Sequence, residues 1–334
     1  MKKNKQSFST NRPKIGVTGA AGFVGSNLCI RLSQDSKFNI IGIDDLSRGD
    51  KNNILDLENA RNFQFYKSDV TDLKRTENIL KGIQVIIHLA AYKIPRFGDR
   101  LDTLIVNTQG TQNILEVAKR NKAKVLFVST SDVYGKNQQL PFKEDADSVL
   151  GPPDVARWSY AVSKIFDEQL CFAYWEKYKV PFVILRLFNV YGPRQNRNWL
   201  GGPQSQFIDA ILKNMPVEIH GTGMQTRCFT YIDDIVDGII KSIGETKALT
   251  QVINLGSSRE ITILKFARLI AKLSEKPLRI KRITYKSFTG KVYQDVIKRR
   301  PQISKAKRIL NWLPKTGLEE GLMKTIEWHK ANPL

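Results

Sequence analysis

Over its first 190 residues the chain alternates short apolar runs with amphipathic stretches. Runs rich in β-branched residues occupy Lys14 to Thr18, Asn39 to Ile43, Phe63 to Tyr66, Val85 to Leu89, Lys124 to Ser129 and Phe182 to Leu187. Between them apolar positions recur at helical spacing, as over Asn107 to Arg120. Strands that alternate with helices pair in parallel through crossover helices, so the pattern predicts an α/β chain built on a doubly wound parallel sheet. After Gly192 the rhythm changes to a Gly/Pro-rich loop through Gly201-Gly202-Pro203, a helix near Gln206 to Lys213 and then short mixed elements. This predicts a basic, disordered tail over residues 1–12, a first domain over 13–190 and a smaller α/β substrate-binding subdomain over 191–334. The apolar run Val252 to Leu255 sends the second unit back to the sheet over residues 250–257.

The first strand runs straight into Gly19, Gly22 and Gly25, three glycines at three-residue spacing that precede Val24, Leu28, Ile30 and Leu32 of a helical pattern. Gly19 is placed to make the turn, Gly22 to let a ligand approach backbone, and Gly25 to pack helix against strand. A helix N-terminus offers unsatisfied N–H groups and a partial positive charge, which suits a pyrophosphate. With its strand and helix, the loop reads as the phosphate cradle of a Rossmann-type domain; the spacing is G-x-x-G-x-x-G. The second strand ends at Asp44-Asp45, about 20 residues beyond the loop, where an acid accepts bonds from a ribose 2′-hydroxyl and repels a 2′-phosphate. NAD is favoured over NADP on this ground, although Asp45 also fits a turn. Asp69-Val70 follows the third strand and is placed to flank an adenine or to cap the next helix.

Tyr160 and Lys164 are four residues apart in Ser159-Tyr160-Ala161-Val162-Ser163-Lys164, so a helix sets them on one face. An unperturbed tyrosine titrates near pH ~10. A neighbouring ammonium that stabilises the phenolate would make the pair an acid/base device.

Charge and cysteine content narrow the partners. The net charge of +21 raises nucleic acid as a ligand, but the lysines are spread along helices among acids, and Lys298-Arg299-Arg300 is the densest late cluster. An anionic small molecule and a solvated basic surface account for this, and no specific nucleic-acid partner is expected. Met1 to Lys14 has no apolar run after its lysines, and no later run has the length of a membrane span, so no membrane insertion is expected. Cys29, Cys171 and Cys228 show no paired spacing and read as buried thiols of a cytoplasmic protein. His88, His220 and His329 are scattered and form no metal constellation.

From Pro13 to Trp328 the chain resembles the extended short-chain dehydrogenase/reductase family, in particular its nucleotide-sugar epimerases, dehydratases and decarboxylases. The resemblance rests on Thr18 to Gly25, His88-Leu89-Ala90-Ala91, Asn107 with Gly110-Thr111, and Ser129-Thr130-Ser131-Asp132-Val133-Tyr134-Gly135. It extends to Tyr160 with Lys164 and to Leu185-Arg186-Leu187-Phe188-Asn189-Val190-Tyr191-Gly192-Pro193-Arg194. It implies that NAD is held by Gly19, Gly22, Phe23, Val24 and Gly25, by Asp44 and Asp45 with Leu46 and Ser47 after them, and by Asp69 and Val70. Leu89, Ala90, Ala91, Asn107, Phe188, Tyr160 and Lys164 complete the implied cofactor site. Tyr160 is then the group that takes a proton from a sugar hydroxyl as a hydride leaves the carbon, with Lys164 at the nicotinamide ribose and Thr130 bonded to the same hydroxyl. For the substrate the resemblance points to Asn189, Gln204, Arg227 and Arg299, with Lys93 and Arg96 either meeting a sugar carboxylate or facing water. Arg227 alternatively pairs with Asp233 or Asp234. Asn196-Arg197 lies one residue out of register with a carboxylate-binding arginine of related uronate epimerases.

Ser131 and Asp132 stand where the 4,6-dehydratases carry Asp and Glu, which counts against dehydration. The decarboxylases are closer there, and Tyr293-Gln294-Asp295-Val296 followed by Arg299 resembles a bacterial decarboxylase of UDP-uronic acids, but Asp132 is one methylene shorter than its glutamate. The expected activity is therefore NAD-dependent epimerisation at C4 of a UDP-hexose or UDP-hexuronate. Oxidative decarboxylation is the alternative, a dehydratase is less favoured, and a catalytically idle NAD-binding regulator is the reading outside enzymology. A homodimer is expected by resemblance, through helices near Leu104 to Arg120 and Tyr160 to Tyr178.

Overall fold

A computed structural model describes residues 8, 12–35, 37–93, 99–197, 202–284 and 295–333 of the protein. The six apolar runs form strands β1 (Lys14–Thr18), β2 (Asn39–Asp44), β3 (Phe63–Lys67), β4 (Val85–His88), β5 (Lys124–Thr130) and β6 (Phe182–Leu187). The later run forms β11 (Gln251–Leu255), which pairs in parallel with β6 from Gln251 opposite Val183 to Leu255 opposite Leu187. The result is a 7-stranded sheet in the order β11-β6-β5-β4-β1-β2-β3. The chain steps outward from β1 in one direction and returns to its other side at β4, so the crevice between the C-terminal ends of β1 and β4 is the sheet's switch point.

Alternate residues of each strand feed opposite faces. Ile40 of β2, Leu126 of β5 and Val183 of β6 join one core, with Leu28 and Leu32 of α1 (Phe23–Gln34) and Ile235 and Ile239 of α6 (Ile232–Gly244). Their neighbours Ile41, Phe127 and Ile184 join the other, against Ile114 and Val117 of α3 (Arg100–Asn121) and Cys171 and Tyr174 of α4 (Trp158–Tyr178). A sheet covered on both faces needs continuous apolar strands, and that is how the inner strands read, while edge strand β3 is half-buried and carries Gln64 and Lys67.

After β6 the chain builds the smaller lobe. Its elements are β7 (Val190–Tyr191), α5 (Pro203–Leu212), β8 (Val217–His220), β9 (Thr226–Cys228), β10 (Thr230–Tyr231), β12 (Glu260–Thr262), α7 (Ile263–Leu273), β13 (Ile280–Ile283), α8 (Ser304–Leu310) and α9 (Leu318–Ala331). β7 with β10, β9 with β12 and β8 with β13 make three two-stranded ribbons. α5 begins earlier than the apolar pattern predicts because Pro203 sits at its first turn, where a missing N–H costs nothing. α3 likewise begins at Arg100, since the Asp99 side chain accepts from Leu101 N at 2.6 Å.

α4 is fastened to the sheet by a buried ion pair. Arg186 of β6 donates from Nε to Glu168 Oε1 at 3.0 Å and from an Nη to Oε2 at 2.7 Å. Ser129 of β5 donates to the same carboxylate at 2.5 Å. Removing one partner strands the other charge in the interior, a loss of about 3–5 kcal/mol. Glu168→Ala is therefore expected to lower the unfolding free energy by that order in a denaturant titration; an unshifted midpoint would show that the pair adds nothing net.

Candidate active site

Thr18, Asp44, His88 and Thr130 end their strands at one edge of the sheet, and above them lies a cleft of about 490 Å³ that runs into the smaller lobe. Gly19 has φ +71°, and a Cβ there would lie 2.8 Å from Ala90 N; at Gly25 it would lie 2.0 Å from Gly19 O. Both glycines are demanded by close packing. A Cβ on Gly22 would meet only Gly19 O, at 3.1 Å, and otherwise point into open space. Gly22 is also the N-cap of α1 and supplies no side-chain bond, so the first-turn amides by Phe23 and Val24 front the cleft.

Asp44 accepts from Ala21 N at 3.0 Å and Leu46 N at 2.8 Å, which pins its carboxylate at the cleft wall. Burial pushes this carboxyl up, against the pull of those amides. Asp45 is turned to Ser47, whose N–H and hydroxyl donate to it at 2.9 and 2.7 Å, so it builds the turn after β2. Asp69 accepts from Thr71 N, and the cap of α2 (Leu73–Ile79) is Asp72, not Asp69. Asp69 and Val70 line the cleft with Leu89, Ala90 and Ala91.

Three residues expected at the cofactor lie behind the cleft wall. Leu46, with φ +65°, packs against the core of α1's face. Asn107 is buried and grips Tyr92 through both backbone groups, at 2.7 and 3.1 Å, and donates to Ser163 at 2.9 Å. Phe188 is buried among Val133, Tyr134 and Phe142. Each supports a wall residue through packing or hydrogen bonding.

The floor is a polar chain. Thr18 Oγ1 accepts from Leu89 N and Ala90 N, both at 3.2 Å, so its own proton goes to His88 Nδ1 at 2.7 Å. That fixes the His88 proton on Nε2, which donates to Thr111 at 3.2 Å. Burial, helped by the charge of Lys164, lowers the imidazole to about 3 and keeps it neutral.

Thr130, Tyr160 and Lys164 meet in the middle of the cleft. Burial raises the Tyr160 hydroxyl well above its ordinary value, the charges of Asp132 and Asp167 add to this, and a bond from Thr130 opposes it. Lys164, 2% exposed, donates to Val128 O at 3.1 Å. The helical spacing predicts an ammonium that draws the phenol down. The structure differs: Lys164 is seated on a β5 carbonyl, and burial with the two acids prevails at Tyr160.

At the far end the charges form a ladder. Arg299 pairs with Asp132 at 2.6 Å, Arg157 reaches Asp132 at 3.6 Å and Asp295 at 3.4 Å, and Arg227 pairs with Asp295 at 2.9 Å. Arg227 thus chooses Asp295 over Asp233 and Asp234; the Asp234 oxygens instead accept from Lys315 N and Thr316 N. Burial pushes the Asp132 carboxyl up, but Arg299 and Arg157, with Lys93 beyond, override it and hold it well below the usual carboxylate range. Ser131 and Lys93 line the cleft here, with Asn189, which donates to Cys228 O at 3.3 Å, and Gln204, which donates to Val190 O at 2.9 Å. Arg96, Gly201, Tyr293 and Gln294 lie outside the described residues. Arg197 is stacked on Trp328 at 5.2 Å and is not a cleft residue. Sequence reasoning missed Arg157 as a cleft group and took Asp295 only as part of a motif, whereas Arg48, which follows the acids of β2 and softens their repulsion of a 2′-phosphate, lines the cleft and stacks on Tyr92 at 5.0 Å. Arg157 stands three residues before Tyr160, a spacing that signals a shared face.

Among the described residues no cluster of His, Cys, Asp and Glu is placed to hold a metal ion, and no helix is long and apolar enough to cross a membrane. A glycine cradle, an acid at the second strand and a Thr-Tyr-Lys set under one cleft define a dinucleotide-dependent enzyme of the short-chain dehydrogenase type. The chain belongs to the NAD dependent epimerase/dehydratase family, whose model matches residues 15–256. It is 33% identical over 316 residues to a UDP-N-acetyl-alpha-D-glucosaminuronate decarboxylase of Bacillus cytotoxicus, covering 94% of this chain and 97% of that one. Among solved structures it resembles a UDP-glucuronic acid 4-epimerase from Bacillus cereus in complex with UDP-glucuronic acid and NAD, with TM-score 0.85, 33% identity, and coverage of 95% and 99% of the two chains. A UDP-glucose 4-epimerase of Thermotoga maritima with UDP-glucose gives TM-score 0.86 at 27% identity, covering 95% of this chain and 99% of that one.

The different surroundings of the glycines separate two outcomes. Gly22→Ala is expected to keep the melting temperature of the NAD-free protein and weaken NAD about tenfold or more in calorimetric titration. Gly25→Ala is expected to lower both, because its methyl group strikes backbone.

Proposed function

We propose that the protein is an NAD-dependent nucleotide-sugar epimerase that inverts C4 of a UDP-hexose or UDP-hexuronate through a transient 4-keto sugar. The observation that carries this reading is the position of Thr130 and Tyr160 between the glycine cradle and the arginine ladder, beside an Asp132 locked as a carboxylate. The cradle fits NAD. The space over Gly22 suits a pyrophosphate, the α1 amides face it, and Asp44 keeps lone pairs for a ribose hydroxyl. When bound, NAD supplies the hydride acceptor and donor at the sugar carbon.

This chain's residues do the rest. Thr130 bonds the C4 hydroxyl, and Tyr160 takes its proton and, once the keto sugar has turned over, returns it to the same oxygen. Arg227 and Arg299 each keep N–H donors beyond those used on Asp295 and Asp132, and these suit a diphosphate. Arg157 and Lys93 extend the positive lobe toward a sugar carboxylate. Elimination of water would need a protonated acid beside Thr130, and Asp132 cannot be one while two guanidinium groups hold it ionised.

One contact favours decarboxylation as the second reading: Arg299 and Asp132, at 2.6 Å, stand next to Thr130 where a C4-ketone and a C5-carboxylate would lie. A homodimer through α3 and α4 is supported by Leu101, Ile105, Val162 and Phe166, all exposed on those two helices. Three buried, unpaired cysteines suit the cytoplasm.

The reading is tested by incubation with UDP-glucose, UDP-glucuronate and UDP-N-acetylglucosaminuronate and proton NMR of the products. A C4 epimer supports it; a UDP-pentose would replace it with decarboxylation and a 4-keto-6-deoxy sugar with dehydration. Tyr160→Phe is expected to cost about 10²–10⁴ in kcat with little change in substrate affinity. A full biological effect with Phe at this position would instead indicate a regulator. Sedimentation of the protein should give twice the chain mass.

A further inference from the structure

Below the reacting pair, α4 carries an acid that the chemistry above leaves unused. Asp167 follows Lys164 by three residues, one turn along the same face, and is fully buried. Its neighbour Glu168 is satisfied by Arg186 and Ser129. Asp167 is placed differently: neither oxygen is in bonding geometry with a donor, and the groups that favour its charge are the Lys164 ammonium and the Thr111 hydroxyl. A buried carboxylate this poorly served is costly, and burial raises it above the usual carboxylate range. Such a group adds little or nothing to stability on its own.

The surroundings show what the charge acts on. Tyr160, Lys164, Glu168 and Cys171 face it from α4 itself. α3 contributes Thr111, and β4 contributes His88, which is neutral and bonded to Thr111. Arg186 of β6 is committed to Glu168. Lys164 is therefore the cation that Asp167 faces. That ammonium is itself fully withdrawn from water, burial pulls its proton affinity down, and the acids Asp167 and Glu168 restore it. Since Glu168 is already neutralised by Arg186, the compensation falls mainly to Asp167.

We propose that Asp167 is a positioning residue of the reaction, the counter-charge under Lys164 that keeps its ε-nitrogen an ammonium seated on the Val128 carbonyl and thereby sets the pH range in which Tyr160 exchanges its proton. The inference rests on the roles of Tyr160 and Lys164 in the proposed epimerase reaction. Its sign is definite. Without the carboxylate, Lys164 gives up its proton at lower pH, and so does Tyr160, whose hydroxyl Asp167 holds up. Both limbs of the rate profile move toward acid together.

The decisive experiment compares the wild type with Asp167→Asn and Asp167→Glu, all NAD-free, by NMR titration of ¹³C-labelled lysine, with the Lys164 signal assigned through Lys164→Arg. The expected result is a titration of Lys164 at least about one unit lower in Asp167→Asn, a tenfold loss of proton affinity, with most of it recovered in Asp167→Glu. Near-native circular dichroism of the variants is checked first, and Asp167→Ser replaces Asp167→Asn if the amide fails to fold, with the same lowered Lys164 titration expected. An unmoved Lys164 overturns the proposal whatever reaction the enzyme performs. A moved Lys164 in a protein that epimerises no UDP-sugar would leave the pair standing and overturn the epimerase reading. The pH profile of kcat/KM adds the last check: a uniform drop at every pH, with no displacement toward acid, marks a merely structural role and also overturns it.

Discussion

Arg186 leaves β6 and closes on Glu168 of α4 through bonds of 3.0 and 2.7 Å, with Ser129 of β5 on the same carboxylate. This contact joins three elements whose relative placement decides everything at the cleft. β5 ends in Thr130, α4 carries Tyr160 and Lys164 within the two turns before Glu168, and β6 leads into the loop with Asn189. A buried ion pair is weak evidence for stability, because desolvation offsets much of its attraction. Its geometric demand is strict, since both oxygens and the planar guanidinium must register together. The pair therefore fixes the height and rotation of α4 over the sheet.

That placement has a cost, which appears one residue away. With α4 fixed so that Lys164 points at Val128 O, Asp167 is carried into the interior along the same face. Lys164 and Asp167 are each unfavourable there alone and tolerable together. Sites that need shifted proton affinities are where such pairs are kept. The raised Tyr160 hydroxyl belongs to the same arrangement: a dry pocket that makes the phenol reluctant also makes it responsive to any positive charge brought beside it.

The inner strands were legible in the chain because burial on both faces leaves them largely apolar, and half-buried β3 at the edge was legible from Phe63 and Phe65 at alternate positions; all fall within a residue of the pattern's limits. The turn at Gly19 and the packing at Gly25 were legible because only glycine tolerates φ +71° there or a backbone oxygen 2.0 Å from a Cβ. Legibility failed where a motif residue acts through a neighbour. Asn107 and Phe188 sit in recognisable motifs yet hold the wall from behind, since a motif records that a position is constrained without saying what constrains it. It failed again for Arg157 and Asp295, which are 138 positions apart and meet only after the chain folds back across the cleft.

The charge ladder then bears on why one architecture serves several outcomes. Oxidation at C4 asks only for a base at the hydroxyl and a cradle for the cofactor, and the groups for both lie in the larger lobe. The fate of the keto sugar depends on the smaller lobe and the ladder. Inversion requires the sugar to turn over while its diphosphate stays held, so it needs room at Thr130 and firm cations at a distance. Loss of carbon dioxide requires an ionised carboxylate one carbon from the C4 ketone, whose oxygen takes up the electron pair of the broken bond. Arg299 stands beside either course, but displacing Asp132 from it would leave that carboxylate on Arg157 alone at 3.6 Å, so a substrate anion is better met by the guanidinium N–H groups that the pair leaves over. A neutral hexose would then turn over above a closed ladder, and a hexuronate would add its carboxylate to the donors that Asp132 leaves over on that side of the cleft.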